Sequence, residues 1–149
     1  MPDPKTIGEV LIIDDNDDDY EATERALRQD CTYSFSLRRF GDGATAWQYL
    51  TAIQQAEPTL RSRLPSLIIL DLNMPGMDGR HLLDRLKQHS HLRRIPVIVM
   101  TTSTEENDIR ACYQSGANTF VAKPLSYDDF LATVARLRDF WFEAAALAR

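Results

Sequence analysis

Short apolar stretches alternate five times with stretches of helical periodicity, and four of the five end abruptly on a charged or hydroxyl residue. The clearest is Leu67-Ile68-Ile69-Leu70, which ends in Asp71 and lies between Pro65 and Pro75-Gly76. A continuous apolar run of that length reads as a strand buried on both faces. A carboxylate closing such a strand is costly unless something pairs with it. Val10 to Ile13 ends in Asp14-Asp15-Asn16, Ile95 to Met100 in Thr101-Thr102-Ser103, and Thr119 to Ala122 in Lys123-Pro124. Cys31 to Phe40 is the second strand in the chain, with Phe35 and Leu37 alternating with Ser and Arg.

The intervening stretches place apolar residues on one helical face. These are Tyr20, Thr23 and Leu27 beside Ala22 and Ala26; Ala46, Trp47, Leu50 and Ile53; and Leu82, Leu83 and Leu86 between about Gly79 and Gln88. Glu105 to Ser115 is a more polar helix with Ile109, Ala111 and Tyr113, stopped by Gly116. Ser126 and Asp129 open the last helix as a capping pair, and Phe130, Val134, Leu137, Trp141 and Ala144 follow at helical spacing. Strand and helix in strict alternation predict an α/β domain with a parallel sheet covered on both faces, a three-layer α/β/α architecture. The whole chain, 1–149, is read as one domain, with a core of about 8–138 and a C-terminal helix extension of about 139–149. Gln54 to Pro65 is a polar connector, long for a link between helix and strand.

Composition narrows the function classes. The formal net charge is -5, with 17 basic against 22 acidic side chains, and the basic residues are scattered. A nucleic-acid binder would carry a basic stripe, so no nucleic-acid partner is expected. No window is apolar enough to span a membrane, and the start MPDPKTIGEV lacks the regions of a signal peptide. Cys31 and Cys112 have no metal or disulfide spacing. A cytoplasmic protein with no membrane association is the expectation.

In an open parallel sheet, ligands bind outside the carboxyl ends of the strands, where the strand order reverses. With order 2-1-3-4-5, that point lies between the first and third strands and brings Asp14 and Asp15 beside Asp71. Three adjacent carboxylates raise one another's pKa unless a cation neutralises them. A hard divalent ion such as Mg²⁺ suits an all-oxygen donor set. Thr101 adds a hydroxyl and Lys123 an ammonium at the same edge. A carboxylate nucleophile, a metal, a hydroxyl and an ammonium together suit phosphoryl transfer to Asp71. Singly, each has a structural explanation: a helix cap, a strand end, a solvated lysine. His81, His89 and His91 lack metal spacing with the carboxylates, and Trp47 reads as core.

The motifs IIDDN, ILDLNMPGMDG, VIVMTTS and VAKP, in this order, resemble the receiver domain of two-component response regulators, over about Val10 to Ala145. The resemblance implies the flavodoxin-like receiver fold and implies that Asp71 accepts a phosphoryl group from the phosphohistidine of a sensor histidine kinase. It further implies that Asp15, Asp71 and the backbone carbonyl of Asn73 bind Mg²⁺, with Asp14 acting through water. Thr101 and Lys123 match the family's phosphate-contacting pair, Phe120 its aromatic switch position, and the Lys123-Pro124 bond is implied to be cis. The connector before Leu67, LRRIPVIVMTTS, GANTFVAKP and the closing DFW are similar to single-domain regulators paired with bacterial phytochrome kinases. That narrower likeness implies a light-sensing kinase partner and a homodimer.

A stand-alone phosphorylation switch, rather than an enzyme, is therefore the expected function, with output through a protein contact, a relay or a phosphate sink. A phosphatase of the haloacid dehalogenase type needs a second acid two residues after the nucleophile, where Asn73 stands. A phosphorylation-independent adaptor would not need the intact Asp14, Asp15, Asp71, Thr101 and Lys123 set, and an FMN carrier lacks its phosphate-cradling loop. Phe140, Trp141 and Phe142 are the candidate dimer interface, since one helix face cannot hide three consecutive aromatics.

Overall fold

The computed structural model describes residues 6–56, 64–74 and 79–145. Its elements are β1 (Thr6–Ile13), α1 (Asp17–Arg28), β2 (Ser34–Phe40), α2 (Gly43–Gln55), β3 (Leu67–Asp71), α3 (Gly79–Gln88), a 3₁₀ turn (Leu92–Arg94), β4 (Val97–Thr101), α4 (Glu106–Gln114), β5 (Thr119–Ala122) and α5 (Tyr127–Asp139), which runs into a π-helical turn (Phe140–Ala144). All five strands are parallel in the order β2-β1-β3-β4-β5, as expected. Most of the connector from Gln54 to Pro65, the Pro75-Gly76 turn and the last four residues lie outside the described residues.

Strand alternation sorts the central strands onto two cores. Leu11, Ile13, Ile68, Leu70, Val97 and Val99 pack under α2 and α3, while Val10, Ile12, Leu67, Ile69, Ile98 and Met100 pack under α1 and α5. Each residue of β3 and β4 is buried, which is why both read as unbroken apolar runs. Asn16, Asp42 and Ser126 cap α1, α2 and α5, each accepting the backbone N–H three residues on. Gly116 closes α4 with φ 104°, and a Cβ there would press on the Lys87 side chain.

Two helices bury residues that their periodicity does not single out. On α4 the buried residue is Cys112; Ala111 is exposed, and Tyr113 faces outward while its hydroxyl accepts the Phe120 N–H at 3.1 Å. Cys112 serves there as a small apolar core residue rather than in redox or metal chemistry. On α5 and its extension, the fully buried row is Phe130, Val134, Arg138 and Phe142, each four residues apart, while Leu137 and Trp141 are half-buried at the margin of the same core; the Ala144 side chain lies outside the described residues. Ala145 N–H bonds Phe140 O, five residues back, so the last turn is widened and the four-residue row stays on the core. Arg138 is buried because its guanidinium donates to the carbonyls of Ala26 and Gln29 at the end of α1, at 3.0 and 2.5 Å.

The three aromatics consequently divide. Phe142 is fully buried, edge-on to Tyr33 and Phe35 at centroid distances of 5.6 and 5.2 Å, so it is a core residue and not an interface candidate. Trp141 is half-buried, and Phe140 is 55% exposed.

Candidate functional site

The pairing of Ile13 with Leu70 sets Asp14 and Asp71 one step further along two adjacent strands, on the face covered by α1 and α5. Asp14 and Asp71 are buried and Asp15 is exposed beside them. Carboxylate oxygens from the three lie within 4.8 Å of one another. The site thus forms at the β1/β3 reversal, where the strand order predicts it.

Lys123 leaves the end of β5 and reaches across this edge. Its N–H donates to Thr101 O at 2.7 Å, and its Nζ lies 3.1 Å from Asp14 Oδ2 and 3.7 Å from Asp71 Oδ2. No described peptide bond is cis, so Lys123–Pro124 is trans, contrary to the expectation. Trans is the intrinsically favoured form by about 0.5–1 kcal/mol, and Lys123 reaches the acids from it.

Thr101 is fully buried, and its Oγ1 accepts from Asn73 Nδ2 at 3.2 Å and from the Ser103 N–H at 3.4 Å. Asn73 also donates its backbone N–H to Asp71 Oδ1 at 3.2 Å, so it joins the strand-end acid to the hydroxyl. Ser103 continues outward to Asp108 Oδ2 at 2.6 Å, and Asp108 pairs with Arg80 at 3.2 Å. Gly79 opens α3 against the back of the site, where a Cβ would collide with the Asp71 carbonyl and Leu72 Cα. Phe120 is half-buried on edge strand β5 and packs against the α2/α3 core, outside the acid cluster.

Burial pushes the Asp71 carboxyl up to about 6, and Asp14 and Asp15 add to the rise; Lys123 and the Asn73 N–H oppose it without cancelling it. Burial alone would lower the Lys123 ammonium, but the Asp19 hydrogen bond and the charges of Asp14 and Asp71 outweigh it and hold it above the usual lysine value. One ammonium among these acids leaves excess negative charge at an all-oxygen donor set. A hard divalent cation fits that deficit, and Asp14, Asp15 and Asp71 are the residues that would hold it.

Two neighbours escaped the sequence reading. Arg39, at the end of β2, donates from Nε to Asp14 O at 3.1 Å and pairs with Asp17 at 2.7 Å, fixing the loop that carries the acids. Asp19 lies 2.8 Å from Lys123 Nζ. The Asp19 N–H donates to the Asn16 side chain, but the Asn16 N–H goes to Asp14 Oδ1 at 2.9 Å, so the capping box stays open and the Asp19 carboxylate turns to Lys123.

The family model for the response regulator receiver domain matches residues 10–135. The chain is 35% identical over 138 residues to response regulator Rcp1 of Synechocystis, covering 93% of this chain and 91% of that protein. It is 32% identical over 132 residues to the probable methanogenesis regulatory protein FilR2 of Methanothrix harundinacea, covering 89% of this chain and 82% of that one. Among solved structures, it is similar to the Mn²⁺-bound form of Rcp1, at a TM-score of 0.85, 34% identity and coverage of 95% and 99%. It is equally similar to the phosphorylated cyanobacterial phytochrome response regulator RcpA, at a TM-score of 0.85, 31% identity and the same coverage.

Proposed function

Because the chain belongs to the response regulator receiver domain family, we propose that it is a phosphorylation switch in which Asp71 takes a phosphoryl group from a sensor histidine kinase. The observation that carries this reading is the acid cluster of Asp14, Asp15 and Asp71, with Lys123 bridging Asp14 to Asp71. An Asp71 Oδ atom attacks phosphorus, a P–O bond forms as the P–N bond of the phosphohistidine breaks, and the imidazole leaves. Mg²⁺ would be held by Asp15, Asp71 and the Asn73 carbonyl with Asp14 behind it, and would supply charge neutralisation for the transferring oxygens. Lys123 binds one of those oxygens, and Thr101 turns from Asn73 to donate its hydroxyl to another. Phe120 then fills the space that Thr101 vacates.

Asp71 must be ionised to attack, and a carboxyl raised to about 6 remains largely ionised near pH 7. Asn73 stands where a haloacid dehalogenase places its acid, and its amide is committed to Thr101, so the chain is read as a switch and not as an enzyme acting on outside phosphoesters. The likeness to Rcp1 and RcpA supports a phytochrome-type kinase as the donor. The chain is also proposed to act in the cytoplasm as a homodimer; among the described residues no helix is long and apolar enough to cross a membrane. Phe140 and Trp141 carry the dimer proposal, since Phe140 is exposed and stands edge-on to the half-buried Trp141 at 5.3 Å.

Incubation with Mg²⁺ and acetyl phosphate, followed by intact mass measurement, tests the switch. One added phosphoryl group in the parent, lost on chelation of Mg²⁺ before mixing and lost in Asp71→Asn, is expected. Undiminished labelling of Asp71→Asn overturns the assignment.

A further inference from the structure

Lys123 has a nearer partner than the carboxylate it would serve. Its Nζ lies 2.8 Å from Asp19 Oδ2, against 3.1 Å for Asp14 and 3.7 Å for Asp71. Asp14 and Asp71 belong to the acid cluster, whereas Asp19 sits in the first turn of α1 and ties the ammonium to that helix. The Lys123 side chain is 7% exposed, while that of Asp19 is 33% exposed and lines an open groove of 470 Å³ with Pro124, Leu125 and Tyr127.

We propose that Asp19 is a positioning residue that parks the Lys123 ammonium on α1 and competes for it with the group transferred to Asp71. The proposal rests on the reading of Asp71 as phosphoryl acceptor. A phosphoryl group brings up to two negative charges and three strong acceptor oxygens, and Lys123 has three donors to share among them and its present acids. Drawing the ammonium toward Asp71 lengthens the Asp19 contact. Asp19 faces water on its groove side, so its freed oxygen is rehydrated at little cost. The Asp19 charge also opposes the incoming anion directly. Both effects have one sign: removing that charge favours the phosphoryl-loaded form.

Asp19→Asn removes the charge and preserves the local fold. The backbone N–H of residue 19 donates to Asn16 Oδ1 at 2.9 Å, and its carbonyl accepts from Thr23 Oγ1 at 2.8 Å; both bonds survive the substitution. Asp18 is the natural control, an exposed acid in the same turn with no ion pair to Lys123.

The test is a titration of the Mg²⁺-loaded chain with beryllofluoride, a tetrahedral phosphoryl mimic, followed by fluorine NMR. Asp19→Asn is expected to bind about five-fold or more tightly than the parent, and Asp18→Asn within about two-fold of it. With lysine-selective labelling, the Lys123 side-chain resonance is expected to move in Asp19→Asn before any mimic is added, and to stay in place in Asp18→Asn. Binding by Asp19→Asn that is no tighter than that of the parent or of Asp18→Asn overturns the proposal. Failure of the parent itself to take up the mimic overturns the phosphoryl-acceptor reading instead, so the two failures are distinct.

Discussion

Asp71→Asn should stabilise the metal-free protein. The buried carboxyl of Asp71 is pushed from an ordinary 3.8 to about 6 by burial, with Asp14 and Asp15 adding to it and Lys123 only partly offsetting it. A carboxyl whose folded pKa exceeds its unfolded value binds its proton more tightly when folded, so folding stability falls as pH rises between the two values. The penalty is absent below about pH 4 and complete above about pH 6. Roughly two pH units at 1.36 kcal/mol each set it on the order of 3 kcal/mol as an upper value. Asn has nearly the same shape, still accepts the Asn73 N–H, and places its amide donors among the Asp14 and Asp15 carboxylates. Lys123 keeps Asp14 and Asp19 as partners. Urea unfolding in chelator from pH 5 to 8 should show Asp71→Asn gaining on the parent with rising pH, by about 1–3 kcal/mol at pH 7.5. Saturating Mg²⁺ should narrow the gap, because ligation stabilises the parent more; at 100 times the dissociation constant it adds about 2.7 kcal/mol. A variant that is less stable than the parent without metal, or a difference independent of pH, refutes the reasoning.

Asp15→Asn should weaken Mg²⁺ binding by about ten-fold or more, and Asp14→Asn by less, as titration of metal-dependent fluorescence will show; equal affinity in Asp15→Asn and the parent removes Asp15 from the metal site. Thr101→Ala should still accept phosphate at Asp71 while losing the coupled change in amide exchange along Ser103–Asp108, the segment joined to Thr101 through the Ser103 N–H. An unchanged response there takes Thr101 out of the pathway. Phe142→Ala should cost about 3–5 kcal/mol in urea unfolding because it empties a fully buried aromatic site, whereas Phe140→Ala should stay within about 0.5 kcal/mol. Sedimentation separates the dimer proposal from this packing effect: Phe140→Ala should dissociate a dimeric parent, and a monomeric parent ends the proposal.

The site was legible because its chemistry sits at strand ends. An apolar run that stops on Asp, Thr or Lys marks both a strand's end and the sheet edge where ligands bind, so Asp14, Asp15, Asp71, Thr101 and Lys123 could be placed from alternation and strand order alone. The C-terminal helix was less legible. Uniform α-helical spacing carries Leu137 and Trp141 to the core, where both pack half-buried, but one widened turn after Asp139 brings in Phe142 as well, and a buried Arg138 enters that row because α1 offers it two carbonyls. Neither the widened turn nor the tertiary acceptors leave a mark in local periodicity. Among Asp17, Asp18 and Asp19, which acid reaches Lys123 depends on where the helix cap falls. Asn16 as cap puts Asp17 toward Arg39 and Asp19 toward Lys123. Reading three acids only as a favourable charge at a helix start misses that division of roles.

The most direct measurement locates the transferred group. The protein phosphorylated in Mg²⁺ is treated with borohydride, which reduces an aspartyl phosphate to homoserine, and the products are sequenced by fragment mass spectrometry. Homoserine at position 71, absent from protein never exposed to the donor, is the result expected. Reduction confined to Asp14, Asp15 or another residue, with position 71 still aspartate in fully phosphorylated protein, contradicts the account.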